Sequence, residues 1–423
     1  MQPLTRFTLA DPRVMQNPYP YYERLRAEDP VHFDEGIRTW LVTRHEDIVA
    51  VAMNTEVYSD EMRVSAAIRS PFQAEVNEYV QREGFLLLDP ADSFKLDGEP
   101  HTRRRKLVAH AFNGPAITAM EARVAGICRD RAAAFLTRGE ADLVKEYAMP
   151  IPILVICDAL GLPMDRVDDI SRGADSMVAQ VGAGATREQA YQHARNVMQL
   201  HRFTREAIEE RRRKPGTDLI SLLVHARVDD DPSIPQLTDR ELMSIATVAI
   251  AGGVDTTRNG IAFALHALAT RPDLLARLRA SKEQDKEIGR FNEEALRFYS
   301  PVPQLPRIAR KETVLGGKTI PQGALVFLCW ASGNRDSQRF TEPDKFDLDR
   351  TNTRQHLAFG TGIHFCLGSM LARQEMKCAV KQIVNSVESL QLALPPERLD
   401  LSASMVILRG LKSLPVKFQT RAA

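Results

Sequence analysis

The sequence predicts a mainly α protein with a small β region. Three observations carry that expectation. Apolar residues recur at helical spacing through most of the chain. Short β-branched and aromatic runs gather at residues 31–43 and 305–328. Neither a fixed-period repeat nor a low-complexity tract interrupts the pattern, so one compact domain over residues 1–423 is expected rather than an array.

Composition bounds the function. The chain has 423 residues, a formal charge of +1 and 44% apolar content, enough to enclose a cofactor completely. A charge so near zero gives no sign of nucleic-acid binding, and any electrostatic partner has to be read from local patches. The five cysteines, at positions 128, 157, 329, 366 and 378, form no C-x-x-C pair. That spacing points to a reduced, cytoplasmic protein. Residues 1–13 carry charges and a proline and lack an apolar run of the length a signal peptide or anchor needs, so no membrane attachment is expected.

Taken in order, Asn17-Pro18-Tyr19-Pro20 opens a helix over residues 21–27. The runs at 31–33 and 40–43 read as strands joined through Asp34-Glu35-Gly36, a hairpin. A helix over 46–53 follows. Residues 59–97 alternate helical fragments with breaks, and long irregular stretches in compact domains are often functional. Pro100 sits in the first turn of a helix starting at Gly98, where its missing N–H costs nothing. Helical spacing continues over 116–136, 149–160, 165–181 and 186–213. Thr238-Asp239-Arg240-Glu241 is a capping box that opens a long helix to about residue 269. A further helix covers 285–299 and is stopped by Pro301-Val302-Pro303. Strands are expected around Arg307, 313–315 and 325–327, and a helix over 369–387. A closing hairpin is expected from 405–407 and 414–416.

One stretch organises the rest: Phe359-Gly360-Thr361-Gly362-Ile363-His364-Phe365-Cys366-Leu367-Gly368. Its glycines let the backbone approach a flat ligand closely, and the helix after it turns its free N–H groups and positive end toward the sulfur. Both favour the thiolate, the form that ligates metal. A buried structural cysteine is the ordinary alternative for a lone Cys beside glycines. The full string closely resembles the haem-binding signature of the cytochrome P-450 family, in which a cysteine thiolate is the axial ligand of haem iron. The resemblance extends over residues 17–418 and implies a long distal helix crossing the haem, with the cysteine loop on the proximal side.

By that resemblance Cys366 is the iron ligand of haem b, His364 meets a haem propionate, Phe359 shields the sulfur, and Gly368 completes the loop. His101 and Arg105, four apart on one helical face, would hold propionates, as would Arg307. In the long helix, Ala251-Gly252-Gly253-Val254-Asp255-Thr256-Thr257 places two glycines and an aspartate where helices disfavour both. Those glycines fit either a tight helix crossing or close approach to a planar cofactor. The family pattern implies the second, with Thr256 supporting oxygen activation and Asp255 relaying protons. Glu294 and Arg297 form an i,i+3 pair of a kind common on exposed helices. The resemblance implies instead a buried brace with Arg350 for the haem loop. Ala251, Val302, Met405 and Val406 would line the substrate pocket.

The implied activity is a monooxygenase acting on an apolar or amphipathic small molecule with O2. Only residues 367–423 follow the cysteine, so electrons are expected from NAD(P)H through a separate ferredoxin and its reductase. A solvated helix face is the usual explanation for a charge run such as 103–106, but beside the Cys366 signature the resemblance implies that Arg103, Arg104, Lys106, Arg373 and Lys377 form the basic proximal face on which the ferredoxin docks. Two rivals remain: a peroxide-driven enzyme of the same fold, against which the Asp255-Thr256 pair argues, and a haem gas sensor without chemistry.

Overall fold

The computed structural model describes the chain except residues 1–3, 5–6, 61–70, 89–91, 93, 95, 110, 180–184, 228–233, 403–406 and 422–423. Met405 and Val406 therefore lie outside the described residues. The chain divides into two compact units, one of residues 1–60, 122–151 and 256–423, the other of residues 61–121 and 152–255.

The first unit holds the β structure. Val31–Asp34 and Thr39–Val42 form the expected antiparallel hairpin. Thr39–Val42 then runs parallel to Leu325–Leu328, which pairs antiparallel with Leu305–Ala309. Tyr58–Ser59 closes the sheet on the other edge of Leu305–Ala309, with Ser59 opposite Ile308. One apolar cluster, including Val42, Ile48, Val326 and Trp330, packs on this sheet. A second forms around Tyr22, Leu25 and Leu41.

Of the expected closing hairpin, residues 405 and 406 lie outside the described residues, and next to them Leu401–Ser402 pairs antiparallel with Gly410–Leu411. Pro415–Thr420 pairs with Val387–Leu392 and Glu140–Asp142 in a three-stranded antiparallel sheet. Strand partners depend on contacts between distant segments, which local turn signals do not encode.

Helices of the first unit include His45–Met53, Glu121–Ala133, Gln284–Tyr299 and Ser369–Ser386. The single helix expected over 116–136 is two, Gly114–Ala119 and Glu121–Ala133; Asn113 caps the first by accepting from the Ala116 N–H.

The second unit is helical. It contains Gln73–Arg82, Gly98–Ala109, Pro150–Leu160 and Arg187–Arg213. Val76 and Val80 pack with Ala190, Ala194 and Met198. The 32-residue helix Asp239–Thr270 passes from this unit into the first. Its capping box forms: the Glu241 N–H donates to Thr238 Oγ1 at 3.2 Å, and the Thr238 N–H donates to Glu241 Oε2 at 2.8 Å.

Candidate functional site

In the first unit, the loop Phe359–Gly368 is shaped by two glycines in the left-handed region, Gly360 at φ +68 and Gly362 at φ +75. A Cβ at Gly362 would lie 3.0 Å from the Ala52 carbonyl oxygen, so this turn needs glycine for space as well as for conformation. The Cys366 N–H donates to the Phe359 carbonyl at 2.9 Å and closes the loop. The Ser369–Ser386 helix starts three residues later with no side-chain cap. Its first N–H groups are therefore not consumed by a local side chain and face back along the loop.

Cys366 is exposed, whereas the other four cysteines are buried. Burial pushes the thiols of Cys128 and Cys329 well up, and that of Cys157 to about 12, so these stay protonated and inert. Ile363 and Phe365, beside Cys366, are exposed apolar side chains. A Cβ at Gly368 would meet nothing within 4 Å.

Behind the loop stand two carboxylates, consecutive on the Gln284–Tyr299 helix. Glu294 and Arg297 are wholly inaccessible and joined by two bonds of 2.7 and 2.8 Å. Arg350 Nε lies 3.5 Å from Glu294, and the Asp347 N–H donates to Glu294 at 2.8 Å. Arg297 also donates to the carbonyls of Asn334, Pro343 and Lys345. The network thus ties the helix to the segment that leads into the loop.

Glu293 makes the second tie. It accepts from Arg373 Nε at 2.6 Å and contacts His356 Nε2 at 3.2 Å. Burial alone would raise its carboxyl, but the bonds from His356 and Arg373 outweigh burial and hold it at about 2. Arg373 in turn stacks over the Phe359 ring at 4.3 Å from its centre. Arg373, expected on a basic docking surface, is therefore engaged with Glu293 and Phe359.

Arg307 lies in strand Leu305–Ala309 and is 3% exposed. Its Nη1 donates to Asp60 Oδ1 at 2.9 Å and to the Pro306 carbonyl at 2.8 Å. Its Nε has no hydrogen-bond partner among the described residues. Asp60 Oδ2 is 3.7 Å from His364 Nδ1. Arg307 and His364, far apart in sequence, thus share one buried carboxylate. Val302 is half-buried and packs on the cluster around Trp330.

In the second unit, His101 is buried and Arg105 half-buried on the Gly98–Ala109 helix, with Arg105 5.9 Å from the centre of the Phe94 ring. Arg103 and Arg104 both reach Glu241. Burial raises the Glu241 carboxyl, and the bonds from Arg103, the Thr238 N–H and Arg104 overturn that and hold it at about 2. The capping glutamate is thus also the anchor for two arginines of the neighbouring helix. Lys106 is exposed and Lys377, in the first unit, half-buried.

Along the long helix, Gly252 is exposed and Ala251, Gly253, Asp255 and Thr256 are half-buried, while Ile250, Val254 and Thr257 are buried. A Cβ at Gly252 or Gly253 would meet nothing within 4 Å. A tight helix crossing at these glycines is thereby excluded among the described residues.

Asp60, Glu293 and His356 went unread in the sequence. None had a local signal: two adjacent glutamates, about 100° apart on a helix, both fit an ordinary polar face.

A mainly helical chain with one exposed cysteine in a braced glycine loop at a helix start is the arrangement that the haem-thiolate resemblance implied. The family model described as Cytochrome P450 matches residues 185–399. The putative cytochrome P450 YjiB of Bacillus subtilis is 31% identical over 405 residues, 95% of this chain and 94% of that one. Vitamin D(3) 25-hydroxylase of Pseudonocardia autotrophica is 33% identical over 413 residues, 96% and 95% of the two chains. The solved structure of cytochrome P450 CYP109Q5 from Chondromyces apiculatus superposes with a TM-score of 0.84 at 28% identity, covering 99% of each chain. The chain belongs to the cytochrome P450 family and is a cytochrome P-450 monooxygenase. Among the described residues, no helix is long and apolar enough to cross a membrane.

Proposed function

We propose that the chain holds haem b through Cys366 and inserts one oxygen atom of O2 into an apolar or amphipathic organic molecule in the cytoplasm. Electrons come from NAD(P)H through a separate ferredoxin and its reductase. The observation that carries this is the exposure of Cys366 alone among five cysteines, in a loop that two positive-φ glycines and the Glu293 and Glu294 networks hold in place.

The residues present fit the cofactor. Arg307 keeps a buried Nε that has no hydrogen-bond partner among the described residues, beside a carboxylate it already binds, the chemistry a propionate asks for. Gly252, Gly253 and Gly368 leave space where a Cβ would stand. When bound, haem supplies the activation of O2 for attack on a C–H bond.

The chain's own residues supply the rest. Cys366 would be the axial ligand of the iron, with the helix start behind it as the positive end facing the sulfur. His101, Arg105, Arg307 and His364 would hold the propionate carboxylates, and Phe359, stacked under Arg373, would pack beside the sulfur once haem is bound. Asp255 and Thr256, half-buried on the long helix, hold and pass protons from solvent toward the oxygen side. Glu294, Arg297 and Arg350 fix the segment before the loop and touch no reactant. Ala251 and Val302 line the substrate pocket, and a relative named for acting on vitamin D(3) supports an apolar substrate. By the family resemblance a ferredoxin would be met by Lys377 and Arg373 on the Ser369–Ser386 helix and by Arg103, Arg104 and Lys106 on the Gly98–Ala109 helix, the arginines being bonded to their glutamates.

The test is spectral. The reduced protein with carbon monoxide is expected to give the absorption band of a thiolate-ligated haem, which Cys366→Ser abolishes. Turnover of a substrate found by spectral titration is expected with NADPH, ferredoxin and reductase. Failure of the band to appear in the wild type overturns the reading.

A further inference from the structure

The strand register makes Asp60 a neighbour of Arg307. Tyr58 pairs with Ala309 and Ser59 with Ile308, so the next antiparallel position brings residue 60 to residue 307. Both side chains are buried, Asp60 at 4% and Arg307 at 3% exposure. A buried arginine has many rotamers to lose, and a single carboxylate can select one of them.

The contact is made in a particular way. Asp60 Oδ1 and the Pro306 carbonyl both take Nη1, at 2.9 and 2.8 Å, while Nε is left without a hydrogen-bond partner among the described residues. The other carboxylate oxygen, Oδ2, stands 3.7 Å from His364 Nδ1. One carboxylate therefore spans the two groups, from strand and cysteine loop, that a propionate would meet.

We propose that Asp60 is a positioning residue for haem: it holds Arg307 by Nη1 and thereby presents the remaining guanidinium N–H to a haem propionate. The inference rests on the haem reading above and concerns retention of the cofactor rather than the reaction. Two physical effects oppose each other here. Holding Arg307 in one rotamer favours propionate binding, whereas a second carboxylate near the propionate repels it. A short bond between fixed partners would outweigh the repulsion, because a propionate bonded to the same guanidinium would share its positive charge with Asp60.

The two effects predict opposite signs, which makes the proposal easy to break. The holoprotein is mixed with excess apomyoglobin, and transfer of haem is followed in the Soret band. Asp60→Asn is expected to release haem about tenfold faster than wild type, the size of one lost charge-assisted bond. Asp60→Glu, which keeps the charge, is expected to stay within about threefold of wild type. In an Arg307→Gln background, Asp60→Asn is expected to change the rate by less than about twofold, because its target is gone. Should Asp60→Asn fail to fold, Asp60→Ala is measured with and without Arg307→Gln, and the same rise of about tenfold and the same loss of that rise are expected. Unchanged or slower haem loss in Asp60→Asn, or a full effect that persists without Arg307, overturns the proposal. A wild-type protein that takes up no haem overturns the cofactor reading, and this inference with it.

Discussion

Gly252–Gly253 and Gly260 lie about two turns apart on one helix, yet the same residue type serves opposite ends. At Gly260 a Cβ would come 3.1 Å from the Met376 sulfur, so that glycine exists to let the Ser369–Ser386 helix pack closely. At Gly252 and Gly253 it would meet nothing within 4 Å. The first is a position filled by protein, the second a position the protein leaves open. The same contrast separates Glu294, enclosed and bonded on every side, from Cys366, exposed in its loop. Stability is concentrated where packing is complete, and chemistry where it is withheld.

The contrast is broken most severely at Cys366. Cys366→Ser is expected to remove the thiolate band and abolish turnover while changing thermal stability by less than about 0.5 kcal/mol in the haem-free protein. The reverse is expected of Glu294→Ala. It leaves Arg297 as an uncompensated buried charge and costs about 3–5 kcal/mol, read as a lower urea midpoint before any effect on chemistry. If Glu294→Ala left the midpoint unchanged, the division between filled and open regions would fail.

Acid comes next in size. Glu241 and Glu293 are held at about 2, below the ordinary glutamate value of 4.5. Depressed carboxylates contribute stability that is complete above pH 4.5 and lost as pH falls toward 2. Each contribution is roughly 3 kcal/mol, from the shift at about 1.4 kcal/mol per pH unit. Glu241→Gln is expected to flatten the acid limb of a stability–pH curve. An identical limb in this variant would show that the Arg103 and Arg104 bonds contribute nothing.

The smallest effect tests the glycines directly. Gly252→Ala is expected to stabilise the haem-free protein by about 0.5–1 kcal/mol through helix propensity. Gly260→Ala gains the same propensity but presses on Met376, and is expected to be about 1 kcal/mol less stable than Gly252→Ala. Equal melting temperatures for the two would erase the distinction.

Much of the fold was legible because it depends on local signals. Helical spacing placed the long helix, and Thr238 and Glu241 announced its start by a bond pattern three residues long. The hairpin over residues 31–42 followed from β-branched runs around a short turn. The partners of Pro415–Thr420 and the break in the helix over 116–136 were not legible. Strand choice and helix interruption answer to packing with distant chain segments.

The candidate site divides along the same line. The glycines and cysteine of residues 359–368 are read within ten positions, because the turn at Gly360 and Gly362 needs positive φ and so constrains its own residues. That much the amino-acid order determined alone, together with the capped long helix and its two unfavourable glycines. Only the tertiary structure decided which charges remain available: it turned Arg103 and Arg104 onto Glu241, and Arg373 onto Glu293. It also brought Asp60 to Arg307 through a strand pairing across 247 residues. A charge acts over a few ångströms, and which opposite charge stands within that reach is settled by how the chain folds back, not by its neighbours in sequence.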